Sequence, residues 1–389
     1  MIRQTHTAVH TGRPLEYYTH ISGKEYGYDD EREDPFAVLR PKDETPGKLY
    51  PFYVVFHSAG HDMQSTLDCM TTPGDHDIYH TPDDCFAMVP DCRLHLTTDW
   101  WWGGRDAHKK GPCENGTQLN PVEKRVLCEI EWAMKNFHVD PERVYAVGNS
   151  MGGSGALGIA FRRGDLFAAI KANVPAGVRH AADRCCFDCE RPEGFEIPDP
   201  PVVIDYSAQN DDWSDGHEVL YRAARDHKYA LMGFFGPFGH ENDDSKINAV
   251  NDLVHSFDIR TVALHEAYPV FCGATTDDPI PWPDGKERTD AGQVNAFFRW
   301  KVIEDSADRF EIELRLLSPA EWKTRVRLPE SSTAEVYFRR LQRFKFTPDS
   351  PFAFTYNGKE MKGMTDKNGV PAAGALEITQ KPKSLIIKK

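Results

Sequence analysis

A G-x-S-x-G pattern at positions 148–152 constrains this chain more than any other feature of its 389 residues. The apolar residues 144–147 before it favour a β-strand, and the small residues 153–160 after it can coil as a helix. A serine between a strand and a helix lies on a turn so sharp that the residues two before and two after it nearly collide. The two glycines lack the Cβ atoms that would clash. The pattern therefore predicts a nucleophile elbow that presents the side chain of Ser150.

Two backbone N–H groups are candidates for holding the negative oxygen of a reacting carbonyl group. Met151 directly follows the serine, and in an elbow the N–H of that residue points at the developing oxyanion. The second donor is expected in the loop after an earlier buried strand, here residues 53–57, because small residues there let the backbone approach a ligand. Ser58 and Ala59 both occupy this loop. The sequence leaves the choice between them open and favours Ala59.

A histidine and a group of aspartates follow the next predicted strands. Residues 202–206 and 229–235 are apolar runs typical of buried strands, and His240 lies in the loop after the second run. The order Ser, Asp, His along a chain is one of the known orders of a catalytic triad. His240 is therefore the predicted base. The predicted acid is one of four aspartates near the end of the first run: Asp205, Asp211, Asp212 and Asp215.

Three consecutive tryptophans, Trp100, Trp101 and Trp102, lie in a predicted loop beyond the strand at 85–90. Large flat rings beside a strand end can form a platform for a sugar ring or an aromatic acid. The alternative is that one or two of these rings only fill the core. The sequence leaves the platform and the core-filling role open.

Charge and composition exclude several classes of partner. A net charge of −14 argues against nucleic acid and anionic membrane surfaces, which attract basic proteins. No apolar run approaches the ~18 residues of a membrane span, and the N-terminus has no apolar signal region. Small ester or polysaccharide-linked ester substrates are the expected partners, and nothing in the sequence sets the oligomeric state.

The nine cysteines are odd in number and show no repeated C-x-x-C pair, which predicts reduced thiols and a cytoplasmic protein. Secretion with a signal that is later removed is the alternative. Cys185, Cys186 and Cys189, together with His180, lack a second ligand pair at zinc-site spacing. We expect neither a metal nor a cofactor.

The pattern of apolar and turn residues predicts two domains. Residues 1–265 alternate strands and helices and predict an α/β domain with a mostly parallel sheet. Residues 266–389 contain short alternating runs, among them 308–317, 322–328 and 334–338, which predict a smaller all-β sandwich. All candidate catalytic residues precede this second part.

Together these segments resemble the α/β-hydrolase esterases of the polyhydroxybutyrate-depolymerase and feruloyl-esterase type. The resemblance covers about residues 36–255 and is carried by four segments: Leu39-Arg-Pro-Lys42, residues 50–57, residues 139–153 and Gly239-His240. It implies an α/β-hydrolase fold, with Ser150 as nucleophile and His240 as base. The family's spacing of a small residue, two further positions and the acid matches Ala208-Gln-Asn-Asp211. It favours Asp211 over Asp212.

The resemblance implies a cofactor-free serine carboxylic ester hydrolase, acting on acetyl or hydroxycinnamoyl esters of plant carbohydrates. A serine peptidase or acyltransferase would share the same triad. A third hypothesis is a carbohydrate-binding protein whose hydrolase part is inactive.

Overall fold

The computed structural model describes residues 1–71, 79–95, 98–104, 118–197, 199–240, 252–282 and 289–389. The chain forms two compact units, which we describe separately. The first unit comprises Met1–Tyr206 with Asp211–Leu220, and the second comprises Ser207–Asn210 with Tyr221–Lys389.

A mixed sheet runs through the first unit, with the strand order β1-β2-β3-β5-β4-β6-β7-β8. Its strands are β1 Ile2–His10, β2 Arg13–Ser22, β3 Arg32–Leu39, β4 Tyr50–Phe56, β5 Phe86–Pro90, β6 Val139–Asn149, β7 Ala169–Asn173 and β8 Val202–Ala208. Strands β5, β4, β6, β7 and β8 pair in parallel. The sequence predicted a mostly parallel sheet, but β1, β2 and β3 add three antiparallel pairings and make it mixed.

The helices connect these strands at places that the sequence indicates. They are α1 Met63–Cys69, α2 Pro121–Asn136, α3 Met151–Ala160, α4 Val178–Cys185 and α5 His217–Asp226. Helix α2 begins as predicted, because Asn120 and Glu123 form a capping box and Pro121 occupies the first turn. No helix within the described residues has both the length and the apolar character needed to span a membrane.

The second unit contains an eight-stranded antiparallel sheet in the order β10-β14-β17-β16-β15-β18-β13-β12. Its strands are β10 Tyr268–Cys272, β12 Phe298–Asp305, β13 Arg309–Leu316, β14 Ser331–Arg339, β15 Pro351–Tyr356, β16 Lys359–Thr365, β17 Pro371–Thr379 and β18 Lys383–Lys388. Two further strands of this unit, β9 Leu231–Gly236 and β11 Gly292–Val294, pair antiparallel with each other. Hydrogen bonds join these eight strands into one antiparallel sheet, and the predicted sandwich arrangement stays a prediction.

Residues 221–389 belong to the second compact unit, and the domain boundary predicted at residue 265 stays a prediction. Strand β9 is tied to the C-terminal part by its pairing with β11. The Asn295 amide reinforces this, because its Nδ2 donates hydrogen bonds to the carbonyl oxygens of Leu231 and Phe271, both at 3.0 Å. These contacts join residues more than 20 positions apart, so the local sequence pattern does not predict them.

Candidate active site

Ser150 lies on the turn between β6 and α3, in a strained backbone conformation. Its φ of 55° and ψ of −123° are rare for a residue with a side chain, and such strain costs about 1–3 kcal/mol. A Cβ built on Gly148 would lie 2.2 Å from the carbonyl oxygen of Gly152, and one built on Gly152 would lie 2.0 Å from that of Phe56. The sharp turn predicted from the two glycines is confirmed.

This geometry predicts that Gly152→Ala destabilises the protein by about 3 kcal/mol or more, because the new methyl group would overlap backbone atoms that cannot move aside. Gly158→Ala is a matched control in the same helix, where the nearest atom to an added Cβ is 3.8 Å away. The control should be neutral or up to about 1 kcal/mol more stable, as alanine favours helix. Urea unfolding of both variants measures the difference; equal midpoints would contradict the steric argument.

Two backbone donors remain without an acceptor beside this turn. In the described part of the chain, the N–H groups of Ala59 and Met151 donate no hydrogen bond to protein. The N–H of Ser58, the other candidate, donates to the Tyr79 hydroxyl oxygen at 2.9 Å. Ala59 thus retains a donor for a ligand and Ser58 does not, which agrees with the preference stated from the sequence.

The three tryptophans have different environments. Trp101 is 1% exposed, its Nε1 donates to the carbonyl oxygen of His57 at 3.0 Å, and its ring packs on Gly155 of α3. The structure therefore gives Trp101 a packing role, the alternative that the sequence left open. Trp102 is 5% exposed and stacks on His180 with ring centroids 4.2 Å apart, while Trp100 is half-buried and meets Trp102 edge to face. The platform prediction is left to Trp100 and Trp102.

The four candidate aspartates are also in different environments. Asp205 lies inside β8, where its Oδ1 is 3.8 Å from the Nε2 of His217 and neither side chain is exposed. Burial alone would lower the pKa of His217, but the Asp205 carboxylate and the Ser214 carbonyl oxygen raise it above its usual value. Asp205 is thus engaged in a buried pair.

The Asp211 carboxylate accepts a hydrogen bond from the N–H of Trp213 at 2.9 Å, in a turn of the chain beyond β8. The side chains of Asp212 and Asp215 are exposed. Of the four, Asp211 alone is a half-buried carboxylate outside the strand.

His240 lies in the loop after β9 and is half-buried. Within the second unit, the N–H of Gln209 donates to the carbonyl oxygen of Gly236 at 2.9 Å, and that of Asn210 to Phe238 at 3.1 Å. These bonds join the loop after β8 to the loop after β9. Asn210 is the residue before Asp211, and Phe238 lies two residues before His240.

Among the described cysteines, Cys189 differs from the expectation of reduced thiols. Cys189 is disulfide-bonded, whereas free thiols occur at Cys69, Cys85, Cys92, Cys128, Cys185, Cys186 and Cys272. Residue spacing cannot show which distant thiols the fold brings together, so the sequence carried no indication of this bond. Among the residues described, no cluster of three or more His, Cys, Asp or Glu side chains is placed to hold a metal ion.

Tyr79 is a residue of this site that sequence analysis missed. It is fully buried, and its hydroxyl contacts both the N–H and the Oγ of Ser58, at 2.9 and 2.6 Å. No pattern surrounds it in the sequence, and the contact spans 21 positions. Only the tertiary structure reveals it.

Residues 98–253 match the model of the Esterase family, described as "Putative esterase". A search of curated protein sequences finds no match to this chain. Solved structures similar to the chain include an S-formylglutathione hydrolase from Agrobacterium tumefaciens, with 16% identity over 61% of this chain and 92% of that one, at a TM-score of 0.42.

Two further similar structures are a fluorophosphonate-binding serine hydrolase of Staphylococcus aureus and a ferulic acid esterase from Anaeromyces mucronatus. The first has 13% identity over 62% of this chain and 98% of its own, at a TM-score of 0.41. The second has 16% identity over 59% and 85%, at a TM-score of 0.38. The family match confirms the esterase resemblance and supports an ester hydrolase.

Proposed function

We propose that this chain is a serine carboxylic ester hydrolase of the α/β-hydrolase fold, which acts through Ser150, His240 and Asp211 and an acyl-enzyme. The observation that carries the proposal is the strained Ser150, held between two glycines whose Cβ atoms would collide with backbone. Backbone strain of this kind persists where the surrounding structure enforces it for function. The family match over residues 98–253 includes this serine.

In the proposed reaction, His240 removes the proton of the Ser150 hydroxyl as its Oγ attacks the ester carbonyl carbon. Asp211 holds the imidazole in the reactive tautomer and stabilises its protonated form. The carbonyl oxygen becomes an oxyanion that accepts hydrogen bonds from the N–H groups of Ala59 and Met151. His240 then protonates the leaving alcohol. In the second half of the reaction, water attacks the acyl carbon as His240 removes its proton, and His240 returns that proton to the Ser150 oxygen as the acid leaves.

The proposed substrates are acetyl or hydroxycinnamoyl esters of plant carbohydrates. The support for this class is the half-buried ring of Trp100, which can offer apolar surface to an aromatic acid or a sugar ring, while the buried Trp102 packs on His180 and meets Trp100 edge to face. A panel of p-nitrophenyl acetate, methyl ferulate and acetylated xylan, with a fluorophosphonate probe for the serine, tests the proposal. Absence of both probe labelling and ester cleavage would reject it, and cleavage of peptides in place of esters would favour a peptidase.

The tryptophan pair makes a separate prediction. Trp100→Ala and Trp102→Ala should each raise KM for methyl ferulate, by roughly tenfold where about 1.4 kcal/mol of ring contact is lost. KM for p-nitrophenyl acetate should change little, because the small acyl group does not reach the rings. Trp101→Ala is the contrasting variant and should cost about 3–5 kcal/mol of folding stability, because it leaves a cavity in the core. If neither ring separates the large ester from the small one, the platform is wrong.

A further inference from the structure

A chain of buried hydrogen bonds in the first unit connects the loop of Ala59 to the elbow. The Ser58 hydroxyl donates to the backbone carbonyl oxygen of Asn149 at 2.9 Å and accepts from the Asn149 Nδ2 at 3.0 Å. The Tyr79 hydroxyl lies 2.6 Å from the same Ser58 oxygen. On the far side, the Nδ2 of Asn173 donates to the Asn149 Oδ1 at 2.6 Å, and the backbone oxygen of Asn173 accepts from the N–H of Ser150 at 2.9 Å.

The Ser58 oxygen is the centre of this network. Its hydroxyl donates to the Asn149 carbonyl oxygen, and the Tyr79 hydroxyl lies at hydrogen-bond distance from the same Ser58 oxygen. The Tyr79 oxygen in turn accepts the N–H of Ser58. All three side chains are at least nine-tenths buried. Satisfied polar networks in a buried site rigidify the groups that they connect.

The network holds residues close to the two proposed oxyanion donors, one position before Ala59 and two positions before Met151. Ser58 precedes Ala59, and Asn149 precedes the nucleophile Ser150, which is followed by Met151. Two donors stabilise an oxyanion only when both are already placed at hydrogen-bond distance from it. A displacement of about 1 Å in such a site can cost on the order of 10²-fold in rate.

We propose that Ser58 is a positioning residue that sets the separation between the Ala59 and Met151 N–H groups, and that Tyr79 holds Ser58 in place. The inference rests on the proposed function and adds to it two residues that never touch the substrate. It also gives the two loop residues separate roles: the Ser58 side chain bonds to the elbow, and the Ala59 backbone N–H remains free for the ligand.

Tyr79→Phe and Ser58→Ala test the proposal with p-nitrophenyl acetate as substrate. We expect kcat to fall about 10–100-fold in each variant, which is less than the ~10²–10³-fold effect of removing an oxyanion donor outright. KM should stay within about twofold, because the ground-state ester makes little use of the oxyanion donors. The affinity for phenylboronic acid, whose serine adduct places a negative oxygen in the same position, should weaken by the same factor as kcat.

Tyr50→Phe is the matched control, since it also removes a buried tyrosine hydroxyl. That hydroxyl accepts from the N–H of Thr45 at 2.7 Å and donates to the Asp43 carbonyl oxygen at 3.2 Å, at the start of β4 and away from the elbow. Loss of a buried hydroxyl lowers stability in both tyrosine variants. Only Tyr79→Phe should lower kcat and boronate affinity.

The outcomes separate this inference from the proposed function. A wild-type protein that neither cleaves the ester nor reacts with a fluorophosphonate rejects the proposed function. An active wild type with unchanged kcat and boronate affinity in Tyr79→Phe overturns the positioning role alone, and so does an equal loss in Tyr50→Phe. The double variant supports it if its loss is close to that of one single variant, because both substitutions break one connected network.

Discussion

Replacement of Ser150 by alanine is expected to lower kcat on p-nitrophenyl acetate by about 10⁴-fold or more, because the only nucleophile of the proposed acyl-enzyme is lost. KM should be nearly unchanged, since the ester is bound by groups other than this hydroxyl. Labelling by a fluorophosphonate should disappear completely. The fold should persist, as alanine at this position meets the same backbone strain as serine.

Ser154→Ala is the matched control for this experiment. Ser154 lies one turn further along α3, and its hydroxyl donates to the carbonyl oxygen of Ala176 at 2.7 Å. Its loss should cost about 1 kcal/mol of stability and leave the probe reaction intact. A purified Ser150→Ala protein that retains more than a tenth of the wild-type activity would show that the nucleophile is another residue.

The elbow was predictable from the sequence because its cause is local. The strand, the turn and the helix are contiguous, and the steric demand on positions 148 and 152 acts over four residues. The same holds for α2, whose capping residues Asn120 and Glu123 lie within one turn of each other. Structure that depends only on neighbouring residues can be predicted from a short segment of sequence.

The features that sequence analysis missed depend on contacts between distant segments. Tyr79 meets Ser58 across 21 positions, and the Trp101 indole donates to His57 across 44. The segment 322–328 was predicted to be a strand from its alternation. It instead forms an irregular stretch, because the Trp322 Nε1 donates to the Asp252 carbonyl oxygen and the Arg325 N–H to the Asp252 carboxylate. These hydrogen bonds take the place of pairing with a neighbouring strand, and they produce no periodic pattern in the sequence.

The acid of the triad is the assignment on which the mechanism most depends after Ser150. Asp205 is excluded by its buried pairing with His217, and the Asp215 side chain is exposed. Asp211 is half-buried, whereas Asp212 is exposed. The choice of Asp211 therefore rests on this difference in burial and on the family spacing.

Asp211→Asn should lower kcat by about 10⁴-fold with little change in KM, because an amide neither enforces the reactive tautomer of His240 nor stabilises its protonated form. The substitution removes the negative charge of the Asp211 side chain and keeps its size. The asparagine Oδ1 can still accept the Trp213 N–H that the Asp211 carboxylate accepts at 2.9 Å, so the turn is preserved.

Asp212→Asn, on an exposed neighbour, should remain close to wild type, since exposed charges contribute little to a site they do not contact. Both variants are to be compared at one pH, with thermal unfolding as a check on folding. If Asp212→Asn is the inactive protein and Asp211→Asn the active one, the acid is Asp212, the next residue along the chain.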